Sequence, residues 1–350
     1  MSQFEVRIRT IGGIGEHGNA DALEIATLDD GSRSVVQRDL YQVGDRVVTF
    51  PEHAVLPDEL LRTLGLWKDG KGVLAGSKGN RVKPIRLRGE ISEVLLCRPS
   101  ALDLDAESEE NLTARLGVEK FQPRIPQIMN GKLRNAYGHT VRFDIENYRK
   151  FQNAEVQTFK PGEPVVITEK MHGTFCAMGW DKDYAGGIVT SKGVADRGLC
   201  FDLDETENER NLYVQAYRKH FDAIHIGQEA NDGASSLQVL GEIVGPGIQD
   251  YHYDFDSRRF LVFDVKIDRR WLTQDELEAF CSERGFDMVP VVVQADFSED
   301  LVATTVERAV EWRSHHKQLE GVVIASADRT RRLKWVLDDF KSRKGGTEFQ

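Results

Sequence analysis

The chain has 350 residues, 40% of them hydrophobic, and a formal net charge of -11, which predicts two soluble domains. Taken alone, this charge argues against nucleic acid as a partner, but nucleic-acid binding depends on local basic patches. No apolar run reaches the roughly 20 residues that cross a bilayer, and the N-terminus lacks the apolar segment of a signal peptide. The four cysteines form no Cys-x-x-Cys pair, so we expect a cytoplasmic protein without membrane contact, disulfide framework or zinc site.

The first 100 residues contain about five short β-type segments and one short helix, separated by Gly, Asp and Pro. This set of elements predicts a small barrel of the oligonucleotide-binding (OB) type. A basic run, Arg81, Lys83, Arg86 and Arg88, lies beside its last strands. We expect residues 1–100 to contact nucleic acid, with a protein-protein module as the alternative.

The next segment, residues 101–135, has the composition of a linker. Residues 102–110 are acidic and poor in bulky side chains, and Pro123 and Pro126 break any helix that begins upstream. From residue 136 to residue 350 strand runs alternate with helices, which we expect at 144–151, 212–223, 274–284 and 302–315. This pattern predicts an α+β domain with antiparallel sheets around a cleft.

Lys170 is the residue on which the functional interpretation depends. An apolar run, Val165 to Thr168, leads through Glu169 to Lys170, and the turn Met171-His172-Gly173 follows. A lysine at the end of a strand can act as a nucleophile only as the neutral amine. The site must therefore lower the lysine pKa from its reference value of about 10.4. We expect neighbouring cations or a bound metal to do this. Alone, the pattern is more typical of an ordinary turn than of a catalytic site.

Charged and aromatic residues stand on or beside later apolar strands, namely Glu242, Phe263, Asp264, Glu320, Arg332 and Lys334. Carboxylates there suit a ribose hydroxyl or a hard cation, an aromatic ring can stack on a purine, and two cations on one strand face can grip phosphate. Each has a plainer interpretation: Phe263 as core, Glu320 as part of a turn, and the two cations as an edge-strand pair.

Taken in chain order, these motifs resemble those of the covalent nucleotidyltransferase superfamily of ligases and capping enzymes, over residues 140 to 340. The motifs are Lys170-Met171-His172-Gly173, Ser191-Lys192-Gly193, Gly241-Glu242-Ile243-Val244-Gly245, Phe263-Asp264-Val265, Glu320-Gly321-Val322-Val323 and Arg332-Leu333-Lys334. Within the superfamily the chain is similar to ATP-dependent RNA ligases, and most closely to the Deinococcus type, which carries an OB domain ahead of the catalytic domain. Residues 85–92, 116–123 and 143–147 support the closer similarity.

The resemblance implies that Lys170 attacks the α-phosphate of ATP and holds AMP covalently. It implies further roles around that bond: Glu169, His172 and Gly173 near the nucleotide, Lys192 near the ribose and the incoming strand end, Glu242 on the ribose, Phe263 on adenine, Glu320 and Asp264 on metal, and Arg332 with Lys334 on phosphate. Three positions depart from the common pattern. His172 replaces an aspartate, Lys192 an arginine and Arg332 a lysine, and the last two leave the geometry of the phosphate contacts open.

The resemblance therefore implies an ATP-dependent RNA ligase that uses Mg²⁺ or Mn²⁺ and acts in RNA repair. As the default for oligomeric state, we expect a monomer. Its substrate would be nucleic acid, either nicked duplex RNA or an RNA/DNA hybrid. The alternatives are a GTP-dependent capping-type guanylyltransferase and a non-catalytic RNA-binding protein. Capping enzymes and DNA ligases carry their OB domain after the catalytic domain, which disfavours both.

Overall fold

The computed structural model describes residues 4–153, 156–230, 233–250, 253–312 and 319–343. Two compact units make up most of the chain, one from Met1 to Gln122 and the other from Pro123 to Phe340. Among the described residues, no helix combines the length and apolarity that a membrane span requires.

The first unit is built on a five-stranded antiparallel sheet in the order β10-β4-β1-β2-β3. Its elements are β1 (Arg7–Glu16), β2 (Leu23–Leu28), β3 (Arg33–Gln37), β4 (Arg46–Phe50), β5 (Ala54–Val55), α1 (Asp58–Thr63), β6 (Trp67–Lys68), β7 (Lys71–Gly72), β8 (Ile85–Leu87), β9 (Glu90–Ser92), β10 (Leu95–Cys97), a 3-10 helix (Pro99–Leu102) and β11 (Glu119–Lys120). The Glu93 amide donates to the Arg33 carbonyl (2.8 Å) just before β10 pairs with β4. One segment therefore connects both ends of the sheet, which curls toward a barrel.

The predicted linker, residues 101–135, does not form a separate segment. Leu104, Leu112 and Val118 are buried in the core of the first unit, and Met129 is buried in that of the second. Their apolar side chains outweigh the acidic composition on which the linker prediction rested. The residues before and after residue 122 therefore belong to the folded cores of the two units.

The second unit contains two large, mainly antiparallel sheets. One has the order β16-β15-β18-β19-β20 with β21 added beside β19, and the other has the order β13-β24-β23-β14-β22. The strands are β12 (Leu133–Asn135), β13 (Glu146–Asn147), β14 (Pro164–Lys170), β15 (Thr174–Asp181), β16 (Ile188–Thr190), β17 (Leu199–Phe201), β18 (Ser236–Val244), β19 (Arg259–Ile267), β20 (Arg270–Trp271), β21 (Asp287–Met288), β22 (Val291–Asp296), β23 (Gly321–Ser326) and β24 (Arg332–Val336).

Helices flank these sheets, which confirms the predicted α+β class. They are α2 (Tyr148–Phe151), α3 (Lys192–Ala195), α4 (Leu212–Lys219), α5 (Phe221–Ala230), α6 (Gln274–Arg284), α7 (Glu299–Glu307), α8 (Ala309–Trp312) and α9 (Asp338–Lys341), with 3-10 helices at Gln127–Met129 and Thr206–Asn208. Helix α6 begins with a capping box between Thr273 and Glu276 and ends at Gly285 in the left-handed region. These local signals fix its ends beside the six-stranded sheet.

Two predicted helices have different bounds in the structure. The helix predicted at 144–151 is only α2, because Asn147 caps it and Glu146–Asn147 pair in parallel with β24. The helix predicted at 302–315 is divided into α7 and α8, and its residues 313–315 lie outside the described part of the chain. The first difference matters for the site, since it attaches residues 143–147 to the strand that carries Lys334.

Candidate active site

A cleft in the second unit collects most of the residues that the sequence singled out. It has about 820 Å³ of empty space, part of it open to solvent. The predicted site residues that line it are Glu169, Lys170, Lys192, Glu242, Phe263, Asp264, Arg332 and Lys334. The two sheets each contribute to this set, so the cleft lies where the six-stranded and five-stranded sheets face one another.

Lys170 ends β14, and its amine forms an ion pair with Glu320, at 2.6 Å between Nζ and Oε1. Burial lowers the pKa of Lys170, but the charges of Glu320 and Glu242 outweigh burial and raise that pKa above its ordinary value. The expectation of a depressed pKa is therefore wrong for the free protein. The nearest charges are carboxylates rather than cations, so the amine is protonated.

The neighbours of Lys170 have shifted pKa values in opposite directions. Burial raises the pKa of Glu242 to about 8. Burial also acts on Glu320, but Lys170 and His172 hold the pKa of its carboxyl at about 2. Burial, together with the charges of Lys170 and Lys192, lowers the pKa of Lys334 to about 8. Around Lys170 the structure therefore places an ionised Glu320 and two groups whose pKa values are shifted toward each other, to about 8.

His172 lies behind Glu320 and does not line the cleft. Its Nε2 is 2.8 Å from Asp250 Oδ1, and its Nδ1 is 3.5 Å from Glu320 Oε2. The His172 amide donates to the hydroxyl of Tyr253. The ring therefore lies near one oxygen of Glu320, and Lys170 contacts the other. Neither Asp250 nor Tyr253 was predicted, because both follow a turn far along the chain with no motif of their own.

Gly173 occupies a position with no room for a side chain. An added Cβ would overlap the Ile243 carbonyl and lie 2.8 Å from both Glu242 Cγ and Val244 Cγ1. The amide of Gly173 also hydrogen-bonds the Glu242 carboxylate. Glycine here lets β15 start against β18 and brings Glu242 close to Lys170.

We expect Gly173→Ala to destabilise the protein by about 1–3 kcal/mol, the usual cost of overpacking. The melting temperature should fall by several degrees, measured by thermal unfolding. Gly18→Ala is the matched control, since an added Cβ there meets nothing within 4 Å. Equal melting temperatures for the two variants would contradict the steric argument.

Lys192 begins α3 and forms an ion pair with Asp144, at 2.8 Å between Nζ and Oδ1. Burial alone would raise the pKa of Asp144, but the hydrogen bond from Lys192 keeps that pKa below its usual value. Asp144 lines the cleft and was missed as a site residue. Its position in the segment 143–147, one of those that carried the closer resemblance, was the available signal.

Phe263 faces an aromatic cluster at one end of the cleft. Its ring centroid lies 5.2 Å from that of Phe143 and 6.1 Å from that of Phe175. The ring is half-buried and lines the cleft, so one part of it remains available to a flat ligand. Phe263 therefore packs within the aromatic cluster, and its stacking on a purine stays a prediction.

Asp264 does not have the setting of the metal ligand that was predicted. It is buried, and its two oxygens lie 2.5 Å from Arg329 Nε and 2.7 Å from Arg332 Nε. Both oxygens are occupied by guanidinium groups. Within the described ranges, no cluster of three or more His, Cys, Asp or Glu side chains could hold a metal ion. Glu320 remains as the carboxylate beside the amine. A cation there would be bound by Glu320 and by phosphate oxygens of the nucleotide.

The family comparison identifies this region. Residues 163–336 match the model of the RNA ligase family. That segment runs from β14 to β24 and contains strands of both sheets that line the cleft. A comparison with curated proteins gave no significant match.

Solved structures with the same fold include several of one ligase. A Naegleria gruberi RNA ligase mutant with AMP and Mn has a TM-score of 0.76 at 20% identity, covering 97% of this chain and 98% of that chain. The Naegleria gruberi RNA ligase with PPi has a TM-score of 0.74 at 19% identity, covering 97% and 98%. Another mutant, with ATP and Mn, has a TM-score of 0.75 at 20% identity, covering 95% and 97%. The segment that holds the cleft-lining strands of both sheets thus matches the RNA ligase family, and the comparisons indicate an ATP-dependent RNA ligase.

Proposed function

We propose that this chain is an ATP-dependent ligase that carries AMP on Lys170 and seals RNA. The observation that carries the proposal is the Lys170 amine, 2.6 Å from Glu320, in a cleft that also presents Glu242, Phe263 and Lys334. The similar Naegleria ligase structures with ATP, AMP and PPi support ATP as the nucleotide rather than GTP.

In the first step Lys170 Nζ, after losing its proton, attacks the α-phosphorus of ATP, and pyrophosphate leaves. Lys334 and Arg332 offset the charge on the transferring phosphate. Glu242 binds the ribose hydroxyls and Phe263 stacks on adenine. The 5′-phosphate of one strand then takes the AMP, and attack by a 3′-hydroxyl releases it and joins the strands.

Glu320 is the residue that would hold Mg²⁺ or Mn²⁺, together with phosphate oxygens of the nucleotide. Magnesium commonly takes one or two carboxylates plus substrate phosphates, so a single protein carboxylate here fits. When bound, the cation supplies positive charge that offsets the negative charge of the phosphates.

The finer features of the proposal concern the subclass and the substrate. We infer an RNA ligase of the Deinococcus type, in which the first unit is an OB domain that contacts nucleic acid. The curled five-stranded sheet and the similarity of the Naegleria ligase over 97% of the chain support this. We infer sealing of nicked RNA duplexes or RNA/DNA hybrids by a cytoplasmic monomer during RNA repair.

Covalent labelling tests the function. The protein is incubated with ATP or GTP labelled at the α-phosphate and then denatured. We expect label from ATP that withstands alkali and is lost in acid, as a phosphoramidate is. Preference for GTP would favour a capping-type enzyme, and no label from either would favour an RNA-binding protein without catalysis.

The pH dependence of adenylylation should report Lys334. Its cationic form is lost as pH rises through about 8, so kcat/KM for ATP should fall above that pH. Lys334→Arg keeps the charge and should remove this alkaline limb, although the different geometry lowers the overall rate. The pKa of Glu242 is also raised to about 8, so Glu242→Gln is the control. A limb that survives in Lys334→Arg and vanishes in Glu242→Gln would assign it to Glu242 instead.

Salt dependence should report the basic run of the first unit. Arg86 and Arg88 are exposed, and the Arg81 guanidinium lies over the Phe121 ring at 4.0 Å. If Arg86 and Arg88 contact phosphates, replacing both by alanine should lower the slope of log binding constant against log salt by about 2. Binding of a nicked duplex is measured across a salt series, with Arg38→Ala as the exposed control in the same unit. An unchanged slope would remove this run from the nucleic-acid surface.

A further inference from the structure

We propose that Arg329 is a positioning residue, which fixes the two sheets of the cleft relative to each other and aims Arg332 at the bound nucleotide. The inference rests on the proposed function. It concerns a residue outside every motif that the sequence singled out.

Arg329 lies in the turn between β23 and β24, yet its side chain points into the protein. The residue has a φ of 54° and is 2% exposed. The turn is held by the Arg329 amide on the Ser326 carbonyl (2.7 Å) and by Asp328, which accepts from Ser326 Oγ (2.6 Å) and the Thr330 amide (3.1 Å). A fixed left-handed turn thus directs a guanidinium inward, where burying its charge is costly unless the group is fully paired.

Arg329 is paired through all three of its nitrogens. Nε donates to Asp264 Oδ1 (2.5 Å), Nη1 to Gln274 Oε1 (2.6 Å) and Nη2 to the Phe263 carbonyl (2.7 Å). Asp264 and Phe263 belong to β19 of the six-stranded sheet, and Gln274 begins α6 beside it. The turn that carries Arg329 belongs to the five-stranded sheet, which also carries Lys170 and Lys334. One side chain therefore connects the nucleotide-stacking strand to the sheet of the nucleophile.

The network extends from Arg329 through Asp264 to Arg332. The second oxygen of Asp264 accepts from Arg332 Nε at 2.7 Å. The Arg332 guanidinium lies 4.4 Å from the ring centroid of Trp271 and 5.2 Å from that of Phe143, which restrict its plane. The side chain is 7% exposed.

One nitrogen of Arg332 has no acceptor. Nη2 is buried and finds no hydrogen-bond partner among the described residues, although the side chain lines the cleft. A buried guanidinium N–H without an acceptor is costly, and such a group calls for a partner. A phosphate or base acceptor of a bound nucleotide would supply that partner, and Asp264, fixed by Arg329, determines where the donor points.

A simple buried ion pair would support stability alone, whereas a positioning residue alters nucleotide binding in a protein that stays folded. Arg329→Lys separates these roles, because it keeps the charge but cannot donate to three acceptors in a fixed fork. Arg331→Met is the matched control. Arg331 lies in the same turn and pairs with Glu163 away from the cleft.

The experiment measures single-turnover formation of lysyl-AMP against ATP concentration, together with melting temperature. Calorimetric ATP binding in a Lys170→Ala background gives a readout without catalysis. For Arg329→Lys we expect a rise of about tenfold or more in the ATP concentration that gives half-maximal rate, and a matching loss of ATP affinity. Arg331→Met should stay within about twofold of the parent on both.

Wild-type ATP affinity and rate in folded Arg329→Lys would overturn the inference. If Arg329→Lys does not fold, Gln274→Met is tested instead, because it removes one acceptor of Arg329 without changing a residue that lines the cleft. A smaller rise in the half-maximal ATP concentration would support the inference, and an unchanged ATP concentration would overturn it. A parent protein that takes no label from ATP would instead refute the proposed function. The two failures are therefore distinguishable.

Discussion

Lys170→Ala is expected to take no AMP from labelled ATP, with lysyl-AMP formation reduced by more than about 10³-fold. Alanine removes the nitrogen that forms the bond. Of the two other lysines that line the cleft, Lys192 is paired with Asp144. Lys334, the neighbouring lysine with a lowered pKa, stands on a different strand and belongs to the proposed phosphate contacts.

The same experiment requires a lysine control and a check on folding. Lys182→Ala is suitable, because Lys182 is exposed at the turn after β15. It should be labelled at the parent rate, and both variants should melt near the parent temperature. Undiminished labelling of Lys170→Ala would show that the AMP is carried elsewhere and would end the proposed mechanism.

Glu320→Gln should produce two separable effects. The carboxylate raises the pKa of Lys170, so its removal should move the rise in adenylylation rate to lower pH. The plateau rate should nevertheless fall by about 10²-fold or more, because Glu320 is also the proposed metal-binding carboxylate. Single-turnover labelling across a pH series at saturating ATP and metal gives both quantities.

The matched control for this variant is Glu283→Gln, an exposed carboxylate on α6. It should leave the midpoint and the plateau unchanged. A midpoint for Glu320→Gln that stays fixed, or moves to higher pH, would mean that the ion pair at 2.6 Å does not control the protonation of Lys170. A normal plateau would remove Glu320 from the metal site.

The sequence allowed the cleft to be predicted because its residues carry recognisable local signals. Lys170, Glu242 and Lys334 each stand on or at the end of an apolar strand, where alternation and turn residues define the side-chain direction. Antiparallel pairing then brings such strands together, as β14 with β23 and β18 with β15. The α+β class followed from the same alternation of strand and helix.

What could not be predicted depends on contacts between residues distant in the chain. The sequence indicates an exposed turn arginine at Arg329, whereas the structure pairs it with Asp264 on β19. The sequence likewise gives no sign that two arginines contact Asp264. The protonated state of Lys170 likewise depends on Glu320, which lies far downstream in sequence. Pairing of charges across sheets has no signature in a linear pattern.

The short parallel bridge between β13 and β24 has a mechanical consequence. Glu146 pairs with Leu333 and Asn147 with Lys334, so the backbone just after Asp144 is attached to the strand that bears the cation. The backbone positions of Asp144 and Lys334 are therefore coupled. A shift of this backbone would thus move both the carboxylate that pairs with Lys192 and the cation that lines the cleft.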